Sequence, residues 1–311
     1  MDWRPSAALE TLRARQAMLS ATRRYFAEQG VLEIDTPVLQ GGANVDPGSQ
    51  SLMVACGAAA RFLPTSPEHP LKRLVASGYG AVWALAPAFR MGERSARHQP
   101  EFRMLEWYRP GWDERRLLDE VVALLALLTG WDRACEIITY REAFIRHVAI
   151  DPEQVASAQL AELAQGAGAD IAADRDAAID WLLATRIEPH LGRGRFTALT
   201  GYPQRLAAQA RLRSDADGVR VAARFELYRQ GIELANGYHE LSDAAELEAR
   251  LGRERSHRQD PALAPDRRFE QAMRAGLPDC AGVAVGFDRV LMLSLGLTDV
   301  AQTMAFAWDR A

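Results

Sequence analysis

The stretch RFELYRQGIELANGYHE, residues 224–240, predicts a β-hairpin that decides the fold. Its two halves are rich in aromatic and aliphatic side chains, and Gly231 stands between them, where a tight turn favours a positive φ. A turn centred near Arg229–Gln230 places Glu226 opposite Glu233 on one face of the hairpin. Because like charges directly across a strand pair are destabilising, the pattern raises the question of what these carboxylates bind.

The composition indicates a globular chain with a substantial core. The chain has 311 residues, of which 48% are hydrophobic, and its formal net charge of -4 gives no general basic field for nucleic acid. The three cysteines are isolated, which argues against a zinc site and a disulfide framework. The first residues form no apolar signal segment, and the longest apolar run, residues 121–128, is too short to span a bilayer. We therefore expect a cytoplasmic protein without a membrane partner.

The order of strand and helix patterns predicts an α+β fold. Hairpins outnumber β-α-β crossovers, so the sheet is expected to be antiparallel with helices packed against it. An alanine- and aspartate-rich segment, residues 141–191, is predicted to be helical. The predicted strands lie within residues 31–39, 81–90, 101–110, 195–203 and 282–286, and the predicted helices within 7–29, 66–78, 117–128, 243–254, 267–275 and 288–296.

A cationic loop joins two predicted strands in FRMGERSARHQPEFRMLEWY, residues 89–108. Guanidinium groups offer planar, paired donors to phosphate oxygens. The segment is therefore compatible with a polyphosphate site, although a lone cluster of this kind is more often a solvated charged loop. The charged residues concerned are Arg90, Glu93, Arg94, Arg97 and His98.

The second of these strands carries a carboxylate and a phenol on one face. Glu106 and Tyr108 are two positions apart, so their side chains point to the same side of the strand. Together they can hold an ammonium group through charge-assisted hydrogen bonds, whereas Glu106 taken alone is equally typical of a surface strand.

Small residues alternate in GVAVGFDR, residues 282–289, ahead of the last predicted helix. Gly282, Ala284 and Gly286 share one strand face, which leaves room for a flat ligand against the backbone or for close packing of helix on strand. Arg289, where the helix begins, is accordingly either a ligand contact or an ordinary ion-pair partner.

Taken together, these segments resemble motifs 2 and 3 of the class II aminoacyl-tRNA synthetases, and GVLEIDTP, residues 30–37, resembles their motif 1. The similarity covers nearly the whole chain and is closest to the lysine branch, in SPEHPLKRLV, RHQPEFRMLEWY, RFELY…GIELANGYHEL and GVAVGFDRVLML. It implies a class II catalytic core, an antiparallel β-sheet flanked by helices, as a single domain over residues 1–311 with a helical insertion at 141–195. It also implies a homodimer formed through motif 1.

Three further segments, MLEWYRP, GIELANGYHELSDA and AFAWDRA, are similar to a stand-alone branch of the lysyl-tRNA synthetase family that modifies elongation factor P. That resemblance implies an ATP-dependent ligase. It would activate (R)-β-lysine to an aminoacyl-adenylate and transfer it to the ε-amine of a lysine on elongation factor P. Motif 1 begins at Gly30, which leaves no room for an anticodon-binding domain, so tRNA is not an expected partner.

The resemblance also implies a nucleotide site with Mg²⁺. Arg90 matches the motif 2 arginine on the α-phosphate, and Arg289 matches the motif 3 arginine on the outer phosphates; these two are the expected catalytic residues. Glu226 and Glu233 match the magnesium-binding carboxylates, whose proximity a hard dication would make favourable. The residues expected at ATP are Arg90, Gly92, Glu93, His98, Gln99, Glu233, Leu234, Gly286 and Arg289.

A pocket for β-lysine is implied as well. An added hydroxyl at Ser66 and an added methyl at Ala284, relative to the synthetases, are expected to favour the β-amino acid over α-lysine. The matched residues are Ser66 and Glu68 at the near amino group, Glu106, Tyr108 and Glu240 at the far ammonium group, Asn236 at the carboxylate side, and Ala284.

The sequence departs from the family pattern in a few places. The motif 2 glutamate, Glu93, stands one position late, and Gln99 replaces the usual asparagine. The pair Ala207–Ala208 falls where lysyl-tRNA synthetases have a serine. None of these departures removes a phosphate-binding or metal-binding group.

Two other functions stay open at this point. One is a truncated lysyl-tRNA synthetase that uses L-lysine. The other is a catalytically silent paralogue that acts as a regulatory subunit, although such a protein has no need of Arg90, Glu226, Glu233 and Arg289 together. A relative of asparagine synthetase is a weaker third, because it does not explain Glu240.

Overall fold

The computed structural model describes residues 3–44, 51–57, 59–169, 174–258 and 264–311. Its α-helices are α1 (Leu9–Glu28), α2 (Glu68–Ala76), α3 (Glu114–Thr129), α4 (Tyr140–Val148), α5 (Ser157–Gly166), α6 (Arg175–Leu182), α7 (Ala244–Arg258), α8 (Arg267–Gly276) and α9 (Phe287–Ser294). Its strands are β1 (Leu32–Glu33), β2 (Met53–Cys56), β3 (Ala59–Phe62), β4 (Val82–Phe89), β5 (Glu101–Pro110), β6 (Cys135–Thr139), β7 (Phe196–Thr200), β8 (Leu212–Ser214), β9 (Arg220–Ala222), β10 (Arg224–Arg229), β11 (Ile232–His239) and β12 (Cys280–Gly286). Short 3₁₀ or π turns lie at Leu183–Ile187, Glu188–His190, Gln204–Leu206 and Val300–Thr303.

Most of the predicted elements are confirmed, as is the α+β class. The strands on either side of the cationic loop are β4 and β5, the opening hairpin is β10 with β11, and β12 runs directly into α9. Local chemistry sets the helix ends. Helix α3 begins after Asp113, whose carboxylate accepts a hydrogen bond from the backbone N–H of Arg116 at 2.8 Å. It ends at Gly130, which has a φ of 75°.

The chain divides into two compact units, residues 1–130 with 239–311, and residues 131–238. The expectation of one domain with a helical insertion at 141–195 stays a prediction. Helices α5 and α6 lie inside that range, and residues 170–173 lie outside the part of the chain that the structure describes. Within the described residues, no helix is both long enough and apolar enough to cross a membrane.

The first unit is built on strands in the order β1-β4-β5-β12. Strands β4 and β12 both pair with β5 in antiparallel register, and β1 joins β4 in parallel. Helices α2, α7 and α8 pack against the sheet through an apolar cluster that includes Leu71, Leu251, Phe269, Val82 and Cys280. Because β5 is a central strand, its side chains Glu106 and Tyr108 are held inside the unit.

The second unit has strands in the order β11-β10-β7-β6. Strand β10 pairs antiparallel with β11 and with β7, and β6 joins β7 in parallel. Helices α4, α5 and α6 contribute Phe144, Leu160 and Leu182 to a buried cluster with Leu199 and Tyr228 of the sheet. The central place of β10 explains why the carboxylate it carries is largely buried.

The hairpin differs from the sequence prediction in its turn. The two turn residues are Gln230 and Gly231, with φ values of 53° and 70°, and not the Arg229–Gln230 pair. Positive φ at both central residues is typical of a two-residue type I′ turn, whose twist matches that of the strands it joins.

The register of the hairpin also differs, so that Glu226 does not lie opposite Glu233. Glu226 pairs with Asn236, while Glu233 pairs with Tyr228. Two effects add up. The shift of the turn by one residue moves the partner of Glu226 from residue 233 to 235, and a β-bulge moves it on to 236, because Leu234 is an extra residue with no counterpart across the strands. The prediction of directly facing carboxylates is therefore wrong, and their offset along the hairpin lessens the repulsion between them.

Candidate functional site

A buried carboxyl lies at the centre of the first unit. Glu106 of β5 is 2% exposed, and its Oε1 accepts a hydrogen bond from the Tyr108 hydroxyl at 2.6 Å. Its Oε2 is buried and finds no hydrogen-bond partner in the described part of the chain. Burial, reinforced by the nearby Glu68 carboxylate, raises the pKa of Glu106 to about 8. An unsatisfied acceptor of this kind fits a cationic ligand.

A glycine on the neighbouring strand makes room for the phenol. Gly282 of β12 pairs with Tyr108, and a Cβ at Gly282 would stand 2.2 Å from the Tyr108 ring and 2.6 Å from Oε1 of Glu240. The space at Gly282 therefore belongs to Tyr108 and Glu240, which neither sequence interpretation of the small residues anticipated. Ala284, two residues on, pairs with Glu106 and so lies beside the buried carboxyl.

A lysine that the sequence analysis did not single out joins two of the predicted pocket residues. Lys72 of α2 is 2% exposed. Its Nζ lies 2.6 Å from Oε1 of Glu68 and 2.7 Å from Oε2 of Glu240. Burial lowers the pKa of Lys72, but the carboxylates of Glu240 and Glu68 outweigh burial and raise it above its ordinary value. Burial raises the pKa of Glu240 to about 7, against the opposing charge of Lys72.

The remaining predicted pocket residue of this unit, Ser66, precedes α2. Its Oγ accepts a hydrogen bond from the backbone N–H of Glu68 at 3.2 Å, which orients the start of the helix and leaves the hydroxyl proton to donate elsewhere. The structure thus brings together six predicted residues of the first unit: Ser66, Glu68, Glu106, Tyr108, Glu240 and Ala284.

The predicted cationic residues form a second cluster in the same unit. Arg90, which follows β4, lies over the Phe102 ring with 5.2 Å between its guanidinium carbon and the ring centroid. Its Nη1 is 3.8 Å from Oε1 of Glu93. Its Nε is buried and has no hydrogen-bond partner among the described residues, so it remains available to an anion. The late position of Glu93 therefore places this carboxylate beside Arg90.

Arg289 of α9 meets His98 in this cluster. Nη2 of Arg289 lies 2.7 Å from Nε2 of His98, and Nδ1 of His98 lies 2.8 Å from Oγ of Ser95. A guanidinium can only donate, so Nε2 of His98 is the acceptor and its proton resides on Nδ1. Burial, with the charges of Arg289, Arg90 and Arg97, lowers the pKa of His98 to about 4, which agrees with a neutral ring.

Backbone and neighbouring groups complete the surroundings of these arginines. Gly92 has a φ of 80° in the loop after Arg90. Oε1 of the buried Gln99 accepts a hydrogen bond from the backbone N–H of Trp308 at 3.2 Å. A Cβ at Gly286 would lie 3.4 Å from Cδ of Arg289, an ordinary contact. Next to Arg289, Asp288 accepts a hydrogen bond from the backbone N–H of Arg103 at 2.7 Å.

The third group of predicted residues lies on the hairpin of the second unit. Oε1 of Glu226 is 2.5 Å from Nη2 of Arg224, and its Oε2 accepts a hydrogen bond from the Tyr228 hydroxyl at 2.6 Å. Arg224 also donates from Nε to Oδ1 of Asn236 at 3.2 Å. The sequence analysis missed Arg224, although its place two residues before Glu226 on the same strand face was a readable signal.

The face of this hairpin that carries Glu226 and Glu233 offers two carboxylates to Mg²⁺. The described residues contain no group of three His, Cys, Asp or Glu side chains that could hold a metal ion. Glu226 and Glu233 lie on one face of the hairpin, offset by the bulge at the buried Leu234. A metal held by one or two carboxylates, with substrate phosphates completing its shell, is the usual arrangement for Mg²⁺.

Comparison with known proteins gives a consistent result over the full chain. The family model for class II tRNA synthetases (D, K and N) matches residues 1–310. The chain is 41% identical over 323 residues to the elongation factor P–(R)-β-lysine ligase of Pectobacterium carotovorum subsp. carotovorum, covering 100% of this chain and 98% of that protein. Proteins of the same name from Salmonella typhi and Klebsiella pneumoniae subsp. pneumoniae are 40% and 41% identical over 329 residues, each covering 99% of this chain and 98% of the relative.

Proposed function

This chain belongs to the class II tRNA synthetases (D, K and N), and we propose that it is an ATP-dependent ligase that activates (R)-β-lysine and transfers it to elongation factor P. The relatives that align over its full length carry that activity in their names. The observation that carries the proposal is the buried, unpartnered Oε2 of Glu106 beside Tyr108, which suits an ammonium group at the end of an apolar chain.

In the first step, a carboxylate oxygen of β-lysine attacks the α-phosphorus of ATP, and the bond to pyrophosphate breaks. No side-chain nucleophile is needed, so the protein contributes positioning and charge stabilisation. Arg90 meets the charge that develops on the α-phosphate, and its unpartnered Nε supplies a donor. Arg289 holds the outer phosphates, and neutral His98 orients its guanidinium by accepting from Nη2.

In the second step, the ε-amine of a lysine on elongation factor P attacks the acyl carbon of the adenylate. An amide bond forms, AMP leaves with the bonding electrons, and the amine loses its proton. The products are β-lysylated elongation factor P, AMP and pyrophosphate.

We assign the remaining nucleotide contacts from the chemical groups that each residue offers. Gly92 and Gly286 give the nucleotide close access to the backbone, and Glu93, Gln99 and Leu234 contribute polar or backbone groups to it. Glu226 and Glu233 would hold Mg²⁺, which neutralises phosphate charge when it is bound.

Recognition of the amino acid is assigned to the carboxyl cluster. Glu106, Tyr108 and Glu240 take the far ammonium group, and Glu68 with Ser66 takes the amino group next to the carboxylate. Asn236 serves the carboxylate of the substrate. The methyl of Ala284 and the hydroxyl of Ser66 favour β-lysine over α-lysine, and changes of this size are typically worth about 1–3 kcal/mol of discrimination.

At the level of the whole protein, we propose a cytoplasmic homodimer that uses neither tRNA nor a membrane. Support for the dimer comes from apolar side chains exposed around the motif 1 segment, including Leu9 of α1 and Leu32 of β1. The residues 1–311 are proposed to act as one catalytic domain with the helical insertion at 141–195.

ATP–pyrophosphate exchange with (R)-β-lysine and with L-α-lysine, compared by kcat/KM, tests the proposed activity. We expect exchange with a clear preference for β-lysine, followed by transfer of labelled β-lysine to elongation factor P. Preference for L-α-lysine would instead identify a truncated lysyl-tRNA synthetase. An absence of exchange with both amino acids would identify a catalytically silent binding subunit.

A further inference from the structure

Lys72 stands apart in the composition of this chain. Among its 37 lysine and arginine residues, it is the sole lysine. Everywhere else the sequence uses guanidinium for positive charge, which makes this one position distinctive. Its side chain is also buried, with 2% exposure, between the carboxylates of Glu68 and Glu240.

The chemistry of an ammonium group explains why lysine, and not arginine, stands at position 72. Lysine presents a compact charge with three donors on a flexible stem, whereas arginine presents a wider planar fork. Nζ of Lys72 reaches Oε1 of Glu68 at 2.6 Å and Oε2 of Glu240 at 2.7 Å. Glu68 precedes Lys72 by one helical turn on α2, so a single point charge joins the helix to the residue that follows β11.

The charges around Lys72 match the proposed substrate. Its neighbours are Glu68 on α2, Glu240 after β11, and Glu106 with Tyr108 on β5. His239 adds a further titratable group beside Glu240. When the three carboxylates are ionised, the ammonium of Lys72 cancels one charge and leaves two. β-Lysine carries two ammonium groups, and its carboxylate is consumed in the reaction.

Resting on the proposed function, we infer that Lys72 is a positioning residue that determines the charge specificity of the amino-acid pocket. It fixes the carboxylates of Glu68 and Glu240 in place before substrate arrives. The pocket then accepts two substrate ammonium groups, one of them at Oε2 of Glu106. Fixed partners of this kind lower the reorganisation needed on binding.

The decisive variants are Lys72→Met, which removes the charge at similar length, and Lys72→Arg, which keeps the charge but changes its shape. We expect KM for β-lysine in ATP–pyrophosphate exchange to rise about tenfold or more in both, a change of roughly one decade in affinity. KM for ATP should stay within about twofold. Arg73→Met, at the next position of α2, is the matched control and should leave both constants unchanged.

A second readout separates positioning from simple packing. Calorimetric titration of β-lysine in two buffers of different ionisation enthalpy gives the number of protons released on binding. We expect the Lys72→Met protein to release more protons than the wild type near pH 7. Its carboxyls have lost the positive charge that lowers their pKa values, so they hold more protons before the substrate binds. Unchanged KM and unchanged proton release in Lys72→Met would overturn the inference, as would wild-type constants in Lys72→Arg.

The wild-type protein offers a test that needs no variant and no activity. Growth with ¹⁵N-labelled lysine gives a protein with one side-chain ammonium signal, since the sequence has one lysine. We expect a charged, slowly exchanging Nζ that shifts when β-lysine is added. An Nζ that exchanges as fast as free lysine would refute the buried pair. Absence of ATP–pyrophosphate exchange in the wild type would instead refute the proposed function and leave the signal of Lys72 informative.

Discussion

At the scale of single residues, we expect the buried carboxyl of Glu106 to determine how strongly the proposed pocket holds an ammonium group. Glu106→Gln keeps the shape and an oxygen for the Tyr108 hydroxyl, but it removes the charge. Hydrogen bonds to charged groups contribute about 1.5–3 kcal/mol. We therefore expect KM for β-lysine to rise about 10- to 100-fold in ATP–pyrophosphate exchange, with KM for ATP nearly unchanged.

The matched control for this change is Glu101→Gln. Glu101 begins the same strand but is exposed, and its Oε1 lies 3.7 Å from Nη2 of Arg103. Loss of such a surface pair costs little, so both Michaelis constants should stay at their wild-type values. An equal loss in the two variants would contradict the role assigned to Glu106.

The same carboxyls give the pocket a defined response to pH. Burial raises the pKa of Glu106 from 4.5 to about 8 and that of Glu240 to about 7. The folded state therefore binds more protons than the unfolded state between about pH 4.5 and 8, and its free energy of unfolding falls as the pH rises through that window. The pKa of Lys72 is raised, so it stays charged throughout.

We expect two consequences of this titration. Without substrate, Tm should be lower at pH 9 than at pH 6, and the difference should shrink in Glu106→Gln. The gain in Tm on adding β-lysine should be larger at the higher pH, because the ammonium groups bind the ionised carboxyls. Differential scanning fluorimetry over this range measures both, and a pH-independent gain would count against the carboxyl cluster as the ammonium site.

Gly282 tests the shape of the pocket independently of its charge. A Cβ in Gly282→Ala would meet the Tyr108 ring at 2.2 Å and Oε1 of Glu240 at 2.6 Å. Overpacking of this kind typically costs about 1–3 kcal/mol, so we expect a lower Tm and a raised KM for β-lysine. Gly252→Ala on α7 is the control, since nothing lies within 4 Å of its added methyl. A Gly282→Ala protein with wild-type Tm and KM would show that the ring has room to move.

At the scale of secondary-structure elements, the type I′ turn of the β10–β11 hairpin carries an avoidable strain. Gln230 has a φ of 53° and is exposed, whereas asparagine tolerates this region better. Ordinary residues lose roughly 1–2 kcal/mol in the left-handed region, and we expect Gln230→Asn to recover part of this cost, raising the free energy of unfolding measured by urea denaturation with exchange activity unchanged.

The neighbouring position provides the opposite control. Gly231 has a φ of 70°, and a Cβ there would stand 3.1 Å from Cα of Pro189. Gly231→Ala should therefore destabilise the protein, because alanine disfavours this conformation and has little space. If Gln230→Asn also destabilised it, the assignment of a type I′ turn would be wrong.

The same hairpin shows how far sequence reasoning reaches. Apolar patterning was enough to predict β10 and β11, and Gly231 was enough to place a turn. The bulge at Leu234 was not predictable, because one extra residue leaves the local alternation of side chains intact until the partner strand is known. The error of one residue in the turn centre moves the partner of Glu226 from Glu233 to Ala235, and the bulge moves it on to Asn236.

The candidate site likewise contains residues that the sequence could predict and residues that it could not. Residues two apart on one strand, such as Glu106 and Tyr108, were predictable as neighbours because strand geometry alone aligns them. Lys72 and Arg224 were missed for a different reason. Tertiary contacts bury Lys72 and half-bury Arg224, whereas an arginine or lysine in a sequence more often belongs to the surface. The spacing of Glu68 and Lys72 by four residues was a signal, but surface helices show it as well.

At the scale of the whole molecule, the near absence of lysine leaves the protein with almost no side-chain amine. The chain is proposed to make an activated acyl group and to hand it to an ε-amine of another protein. An acyl-adenylate reacts with unprotonated amines, and guanidinium groups are too weakly nucleophilic to compete. With one lysine among 311 residues, its own side chains offer almost no acceptor.

The burial of Lys72 protects the one ε-amine in the sequence. Its Nζ is enclosed between Glu68 and Glu240, and its raised pKa keeps it protonated and therefore unreactive. Incubation with ATP and β-lysine, without elongation factor P, should leave the intact mass of this chain free of lysine-linked β-lysyl groups. A surface variant such as Arg94→Lys, beside the cationic cluster, should acquire one. The ligase is in this sense protected from acylating its own lysine side chain, because the one ε-amine in its sequence is buried and protonated.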